Sequence, residues 1–208
     1  TRMNPSLLYA QAIKGKATGR GIGIIDTIHF LEVVKAMEAL KSQIAPEDYA
    51  AFVAWFKEYV LWMTTHPYGM TERDALNNHG TCWALQVAVF ASFTGNASLI
   101  DFCRKRYRTA FIPDQMAANG SFPLELKRTK PYGYSIFNLD IMNELRQSMI
   151  NGERHTACDV CWKTEDTGGN SYRMFSNPPY SYSTNEVFDH NEPKLQVIDF
   201  GFGENCNL

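Results

Sequence analysis

The chain has 208 residues, 45% of them hydrophobic, and a formal net charge of −2. That length holds one large domain or two small ones, with enough apolar residues for a real core. No basic footprint for nucleic acid is present, no block of like charge marks a tail, and no apolar run approaches the ~20 residues needed to cross a bilayer.

Residues 1–27 read as irregular, broken by Pro5, Gly15, Gly19, Gly21 and Gly23. Gly19-Arg20-Gly21-Ile22-Gly23 lacks the GxGxxG spacing and a surrounding βαβ unit, so no phosphate loop is expected. Arg20 in that setting reads as a cleft-lining cation or part of a turn. From Asp26 the pattern turns helical. Asp26 or Thr27 is the candidate cap, and Phe30, Leu31, Val34, Met37 and Leu40 recur at spacings of three and four. Pro46 starts a second helix with Phe52, Trp55, Phe56, Tyr59, Val60 and Met63 on its apolar face, and the two helices read as an antiparallel hairpin.

His66-Pro67-Tyr68-Gly69 reads as a stop, followed by a polar segment over 71–78. A third helix, from residue 79 or 80 to 93, is apolar almost all round, which predicts burial on both sides. Thr94-Gly95-Asn96 supplies its C-cap and turn. A fourth helix is predicted over 97–110, with Arg104, Lys105, Arg106 and Arg108 on a solvated face. Residues 111–134 read as a long connection dense in charge and aromatics, and such loops are usually functional. A fifth helix is predicted over 135–149. After Ile150 the chain becomes rich in Asn, Ser, Gly, Pro, Tyr and Asp, with short extended stretches possible at 187–188 and 195–200.

Two divisions follow: 1–150, and an irregular tail over 151–208. Paired helices in series point to an all-α solenoid or ring of helical hairpins. A ring of about six hairpins needs roughly 200 residues at ~12 per helix and ~5 per loop. With about five or six helices here, the chain reads as part of such a ring. Trp55, Trp62 and Trp83 are expected in its core.

Five cysteines, Cys82, Cys103, Cys158, Cys161 and Cys206, form no closed disulfide framework. His155-x-x-Cys158-x-x-Cys161 has metal-like spacing, but a second ligand pair is missing unless Cys206 joins. Scattered thiols or one local disulfide are favoured, and no metal or cofactor is assigned. Asn96-Ala97-Ser98 and Asn119-Gly120-Ser121 are glycosylation sequons that matter only in a secreted eukaryotic protein. The chain opens on Thr1 rather than Met, which leaves room for a removed leader or an upstream domain.

Three polar clusters carry the chemistry: Asn77-Asn78-His79, Glu125-Leu126-Lys127-Arg128-Thr129 and Tyr132-Gly133-Tyr134-Ser135. The first lies where a helix begins, a natural place to receive an anion. Taken singly, each has an ordinary reading: His79 or Asn78 as a cap, Arg128 as a surface residue, Tyr134 as a core aromatic. Together, His, Arg, Asn and Tyr suit removal of a proton alpha to a carboxylate. Arg offers a bidentate cation and Asn an amide donor to neutralise that carboxylate. Tyr can take or return a proton, and His can act as base or hold the Tyr. β-Elimination in a uronic-acid polymer needs this set. A hydrolase would need two opposed carboxylates. Glu72, Asp74, Glu125 and Asp140 are available, but no spacing selects a pair. A Cys82–His79 nucleophile pair is also conceivable, though Cys82 heads an apolar helix and reads as a buried thiol.

Several ordered motifs now resemble one family. They are Asn77-Asn78-His79-Gly80-Thr81 with Trp83 and Gln86, Phe93-Thr94-Gly95-Asn96, Asn119-Gly120-Ser121-x-Pro123-x-Glu125-Leu126-x-Arg128-Thr129, and Tyr134-Ser135-x-Phe137-Asn138-Leu139. With Arg2-Met3-Asn4-Pro5 and the run 19–27, they look like the alginate lyase superfamily, closest to its branch of alginate and glucuronan lyases, over roughly 1–147. The resemblance implies an (α/α) toroid with the substrate in a groove at one end, and a mechanism that requires no metal. It puts the catalytic histidine and tyrosine on His79 and Tyr134, and the carboxylate-neutralising pair on Asn78 and Arg128. Glu125 would orient Arg128, Glu72 would line the site, and Asn77, Arg20 and Gln11 would contact substrate. The family's further hairpins before the position of Thr1 do not occur in this sequence. The expected reaction is cleavage of a 1,4-linked polyuronate by an extracellular or periplasmic enzyme. The alternatives are an inactive carbohydrate-binding remnant, or a glycoside hydrolase on the same ring.

Overall fold

Helix follows helix along the chain. The computed structural model describes residues 3–150 and Thr167. A 3-10 segment, Gly21–His29, leads into α1 (Phe30–Ala39), α2 (Pro46–Thr65), α3 (Pro67–Arg73), α4 (Asn78–Thr94) and α5 (Ala97–Arg106). α5 runs on as a π-helical segment, Tyr107–Gln115, before the short α6 (Pro123–Leu126) and then α7 (Pro131–Ile150). There is no β-strand among the described residues, only an isolated bridge between Ile13 and Ala17. The expectations for His155, Cys158, Cys161, Cys206 and the stretches 187–188 and 195–200 lie outside the described residues. No helix among the described residues is long and apolar enough to cross a membrane.

α4 is the centre. Thirteen of its 17 residues are buried, as an all-round apolar helix requires, and α1, α2, α3, α5 and α7 all pack against it. α2 runs antiparallel to it. Phe56 meets Phe93 with ring centroids 5.6 Å apart, Tyr59 meets Phe90 at 5.8 Å, and Trp83 Nε1 donates to the Met63 carbonyl at 3.2 Å. The expected pairing of α1 with α2 thus gives way to α2 against α4, with α1 reaching α2 through the Phe30 ring on Trp55, Phe56 and Tyr59. Trp55 and Trp83 are core residues, whereas Trp62 is half-buried and stacks between Tyr59 and His66. α4 ends at Gly95 with φ 76°, a left-handed C-cap that glycine adopts without a Cβ penalty.

Four local expectations change. The helical conformation starts at Gly21 rather than at Asp26, within the stretch expected to be irregular, and neither Asp26 nor Thr27 caps α1. Thr27 instead is buried under the core: its Oγ1 lies 2.6 Å from Tyr59 Oη, 2.7 Å from Gln86 Oε1 and 2.7 Å from the Ile24 carbonyl. Gln86 Nε2 donates to the same carbonyl at 3.1 Å. One hydroxyl thus ties the 3-10 segment to α2 and α4, and burial pushes the Tyr59 phenol far up, keeping it a neutral donor. Thr27→Val would take the partner from the Tyr59 hydroxyl and from Gln86 Oε1 in the core, so it should cost about 1–3 kcal/mol of stability in denaturant unfolding, with the helical content unchanged.

Second, His66-Pro67 starts a helix as well as stopping one. Pro67 takes the first position of α3, where its missing N–H is no loss, and the His66 imidazole accepts from the Tyr68 N–H at 3.2 Å. The first three residues of the expected polar segment, 71–73, are therefore the end of α3. Third, α7 begins at Pro131, which puts Tyr134 in a first turn rather than at the end of a loop. Fourth, Arg106 leaves the solvated face predicted for it. Its guanidinium lies over the rings of Phe102 and Phe111, donates to the Arg73 carbonyl at 2.7 Å and sits 3.6 Å from Asp74. Burial lowers its proton affinity and Asp74 restores part of it. Arg106 thereby braces the turn from α3 into α4.

Candidate active site

That turn is tight. A Cβ on Gly80 would run into the Ala75 carbonyl oxygen, so only glycine lets α4 start so close to the end of α3. Asn77, not Asn78, is the N-cap, and its side-chain oxygen accepts from the His79 N–H at 3.3 Å. Asn78 is consequently free of capping duty. Its side chain is buried, and its amide oxygen has no hydrogen-bond partner among the described residues. A buried amide in that state is a group kept for something else.

His79 Nδ1 lies 2.6 Å from Glu72 Oε1 on α3. Glu72 is buried and His79 half-buried. A carboxylate oxygen favours an N–H opposite it, so the neutral ring places its proton on Nδ1 and its lone pair on Nε2. Glu72 therefore fixes the tautomer and the orientation of the ring.

The second half comes from α6 and α7. Glu125, 1% exposed, sends Oε1 to the Asn78 backbone N–H at 2.7 Å, across 47 residues of sequence. A carboxylate at a helix N-terminus is favoured by the orphan N–H groups and the helix dipole. Its Oε2 lies 3.8 Å from Arg128 Nη1, close enough to attract but beyond hydrogen-bond reach, and it makes no hydrogen bond among the described residues. The Arg128 guanidinium in turn lies over the Tyr134 ring, 4.0 Å from its centroid, a cation–π contact. An open cleft of about 270 Å³, lined by Lys130, Gly133, Tyr134 and Phe137, adjoins that ring.

Asn77, Asn78, His79, Glu72, Glu125, Arg128 and Tyr134 thus form one continuous chain of contacts. Arg20 and Gln11 form another. Arg20 donates to the Gln11 carbonyl at 2.9 Å and to its side-chain oxygen at 3.2 Å, while Gln11 donates to Asp26 at 2.9 Å. Tyr68 of α3 donates to the Gly19 carbonyl beside that trio at 3.0 Å.

The competing nucleophile and carboxylate sets find no support. Burial pushes the Cys82 thiol up to about 12, and Cys82 accepts from Gln86 rather than facing His79. Of the four carboxylates available for hydrolysis, Glu72 is engaged by His79, Glu125 by Asn78, and Asp74 by Arg73, while Asp140 is exposed. No group of three or more His, Cys, Asp or Glu among the described residues is placed to hold a metal ion.

Two contributors escaped the sequence reading. Lys130 lines the cleft beside Tyr134. Gln115, at the end of the π-helical segment, bonds three separate partners under the site. Lys130 belonged to the charged connection already singled out, whereas a glutamine in irregular sequence carries no pattern.

Comparisons with known proteins bear on the family and the fold. The sequence matches the family described as alginate lyase over residues 1–154. The structure is similar to the crystal structure of an alginate lyase from Bacteroides ovatus, with 33% identity and a TM-score of 0.67, over 82% of this chain. The chain spans 42% of the length of that protein. No curated protein matches. With its contact chain from Glu72 to Tyr134 carried on helices of this arrangement, the protein belongs to the alginate lyase family and has the fold of part of an (α/α) toroid.

Proposed function

We propose that residues 1–150 form the catalytic part of a polysaccharide lyase that cleaves a 1,4-linked polyuronate, alginate or glucuronan, by β-elimination. The observation that carries this reading is the run Asn78–Glu125–Arg128–Tyr134 beside Glu72–His79. It supplies an amide and a guanidinium for one carboxylate, and two proton-transfer groups next to them.

The substrate carboxylate is held by Asn78 and Arg128, so that charge developing at C5 spreads onto neutralised oxygens. Tyr134, or His79 through Nε2, removes the C5 proton. The electron pair forms the C4=C5 double bond, the C4–O bond breaks, and the bridging oxygen leaves with a proton from Tyr134. No water is consumed. Asn77 holds the helix start, and Glu72 and Glu125 orient His79 and Arg128. Arg20 and Gln11 serve as outlying substrate contacts. A polymer of this kind is met outside the cytoplasm, so the protein is secreted or periplasmic, which cell fractionation would test.

Incubation of the chain with alginate, polymannuronate, polyguluronate and glucuronan should raise the ultraviolet absorbance of a new conjugated C=C bond in step with new reducing ends. Reducing ends without that absorbance would mean hydrolysis. Binding with neither would mean a carbohydrate-binding remnant.

A further inference from the structure

We infer that Gln115 is a positioning residue: its carboxamide clasps the start of α4 to α7 and so sets where Tyr134 stands relative to Asn78 and His79. This rests on the lyase reading above.

Gln115 closes the π-helical segment Tyr107–Gln115, which contains Pro113. π-Helical turns are rare and gather at functional sites, because the wider register redirects the side chains that follow. Here the redirected group is a buried glutamine, 5% exposed, with both ends of its amide engaged. Nε2 donates to the Asn77 carbonyl at 3.2 Å. Oε1 accepts from Thr81 Oγ1 at 2.9 Å and from Asn138 Nδ2 at 3.1 Å. Thr81 and Asn138 are both fully buried.

The placement of these partners gives the clasp its meaning. Asn77 is the cap that receives the His79 N–H, so the Asn77 end holds the catalytic turn. Asn138 lies four residues after Tyr134, one turn along the same face of α7. The carboxylate clamp, by contrast, is held separately, by Glu125 between Asn78 and Arg128. Loosening Gln115 should therefore shift the tyrosine relative to the bound carboxylate without releasing the carboxylate. A misplacement of about 1 Å costs on the order of 100-fold in rate.

The test uses the full chain with alginate as substrate. Gln115→Met and Asn138→Leu should each lower kcat about 100-fold with KM within about threefold. Thr81→Val removes a bond that does not join α4 to α7, and should lose far less. If KM rises in proportion, or if all three variants lose activity in step with their loss of thermal stability, the clasp is only structural and the inference is overturned. A readout independent of turnover accompanies it: the side-chain amide protons of Gln115 and Asn138 should exchange slowly with solvent, and fast exchange of either overturns the clasp. Slow exchange with no double bond formed by the unsubstituted chain overturns the lyase reading and the catalytic meaning of the clasp together. Double-bond formation with an unchanged kcat in Gln115→Met overturns the clasp alone.

Discussion

Tyr134→Phe is expected to lower kcat for polyuronate cleavage by about 10²–10⁴-fold, the usual contribution of a positioned proton-transfer group. The substitution removes one oxygen and little else. The ring stays beneath the Arg128 guanidinium, so the cation–π contact at 4.0 Å survives and the arginine keeps its place. The ring also continues to line the cleft with Lys130, Gly133 and Phe137. KM should accordingly stay near its original value, and the melting temperature should move little, because Tyr134 is half-buried and its hydroxyl makes no hydrogen bond among the described residues. Initial rates from the C=C absorbance, with binding of an alginate oligosaccharide measured by calorimetry, check both halves. Full activity in Tyr134→Phe would transfer proton removal to His79. His79 is oriented for that by Glu72 at 2.6 Å, with Nε2 left as the base.

Glu125→Ala should act on the other kinetic constant. Glu125 touches both members of the carboxylate clamp, through the Asn78 N–H at 2.7 Å and the Arg128 guanidinium at 3.8 Å. Truncation leaves the Asn78 N–H unpaired in a buried setting and releases Arg128 to solvent. Hydrogen bonds to charged groups are worth about 1.5–3 kcal/mol, which converts to a rise in KM of about tenfold to 100-fold. Stability should fall by about 1–3 kcal/mol from the orphaned N–H. Glu125→Gln should land between, since its carbonyl can still accept from Asn78 while its amino group faces the guanidinium with the wrong polarity. A Glu125→Ala chain with unchanged KM would mean that Arg128 is held by its stacking on Tyr134 alone. The pairing of this result with Gln115→Met is informative: one residue should move KM and the other kcat, although both sit beneath the same helix start.

The main helices were legible because each rests on a local pattern. Apolar residues at spacings of three and four mark α2, the all-round apolar run marks α4, and Thr94-Gly95-Asn96 marks its end. The elements that were misread are those where two local signals compete. His66-Pro67 is a stop for α2 and a start for α3, and the periodicity of a seven-residue helix is too short to arbitrate. Thr27 has a capping side chain, yet a buried Tyr59 and Gln86 compete for its hydroxyl. Arg106 sits among charged neighbours in sequence, but the aromatic pair Phe102 and Phe111 and the open Arg73 carbonyl draw it inward.

For the site, residue types and order picked out three polar clusters, because the chemistry of a carboxylate-adjacent proton restricts the groups that can serve, and the family resemblance nominated His79, Asn78, Arg128 and Tyr134 within them. Residue types and order also sufficed for the helical class and for the family resemblance. What only the tertiary structure decided is how those residues meet. Glu125 reaches Asn78 across 47 residues, Gln115 reaches Asn138 across 23 and Asn77 across 38. Bonds of that kind depend on which helix faces pack together and on a π-helical register that shifts one glutamine into place. Neither leaves a periodic trace in the chain, since a single buried polar residue has no repeat for the eye to find, and its partners are set by packing alone.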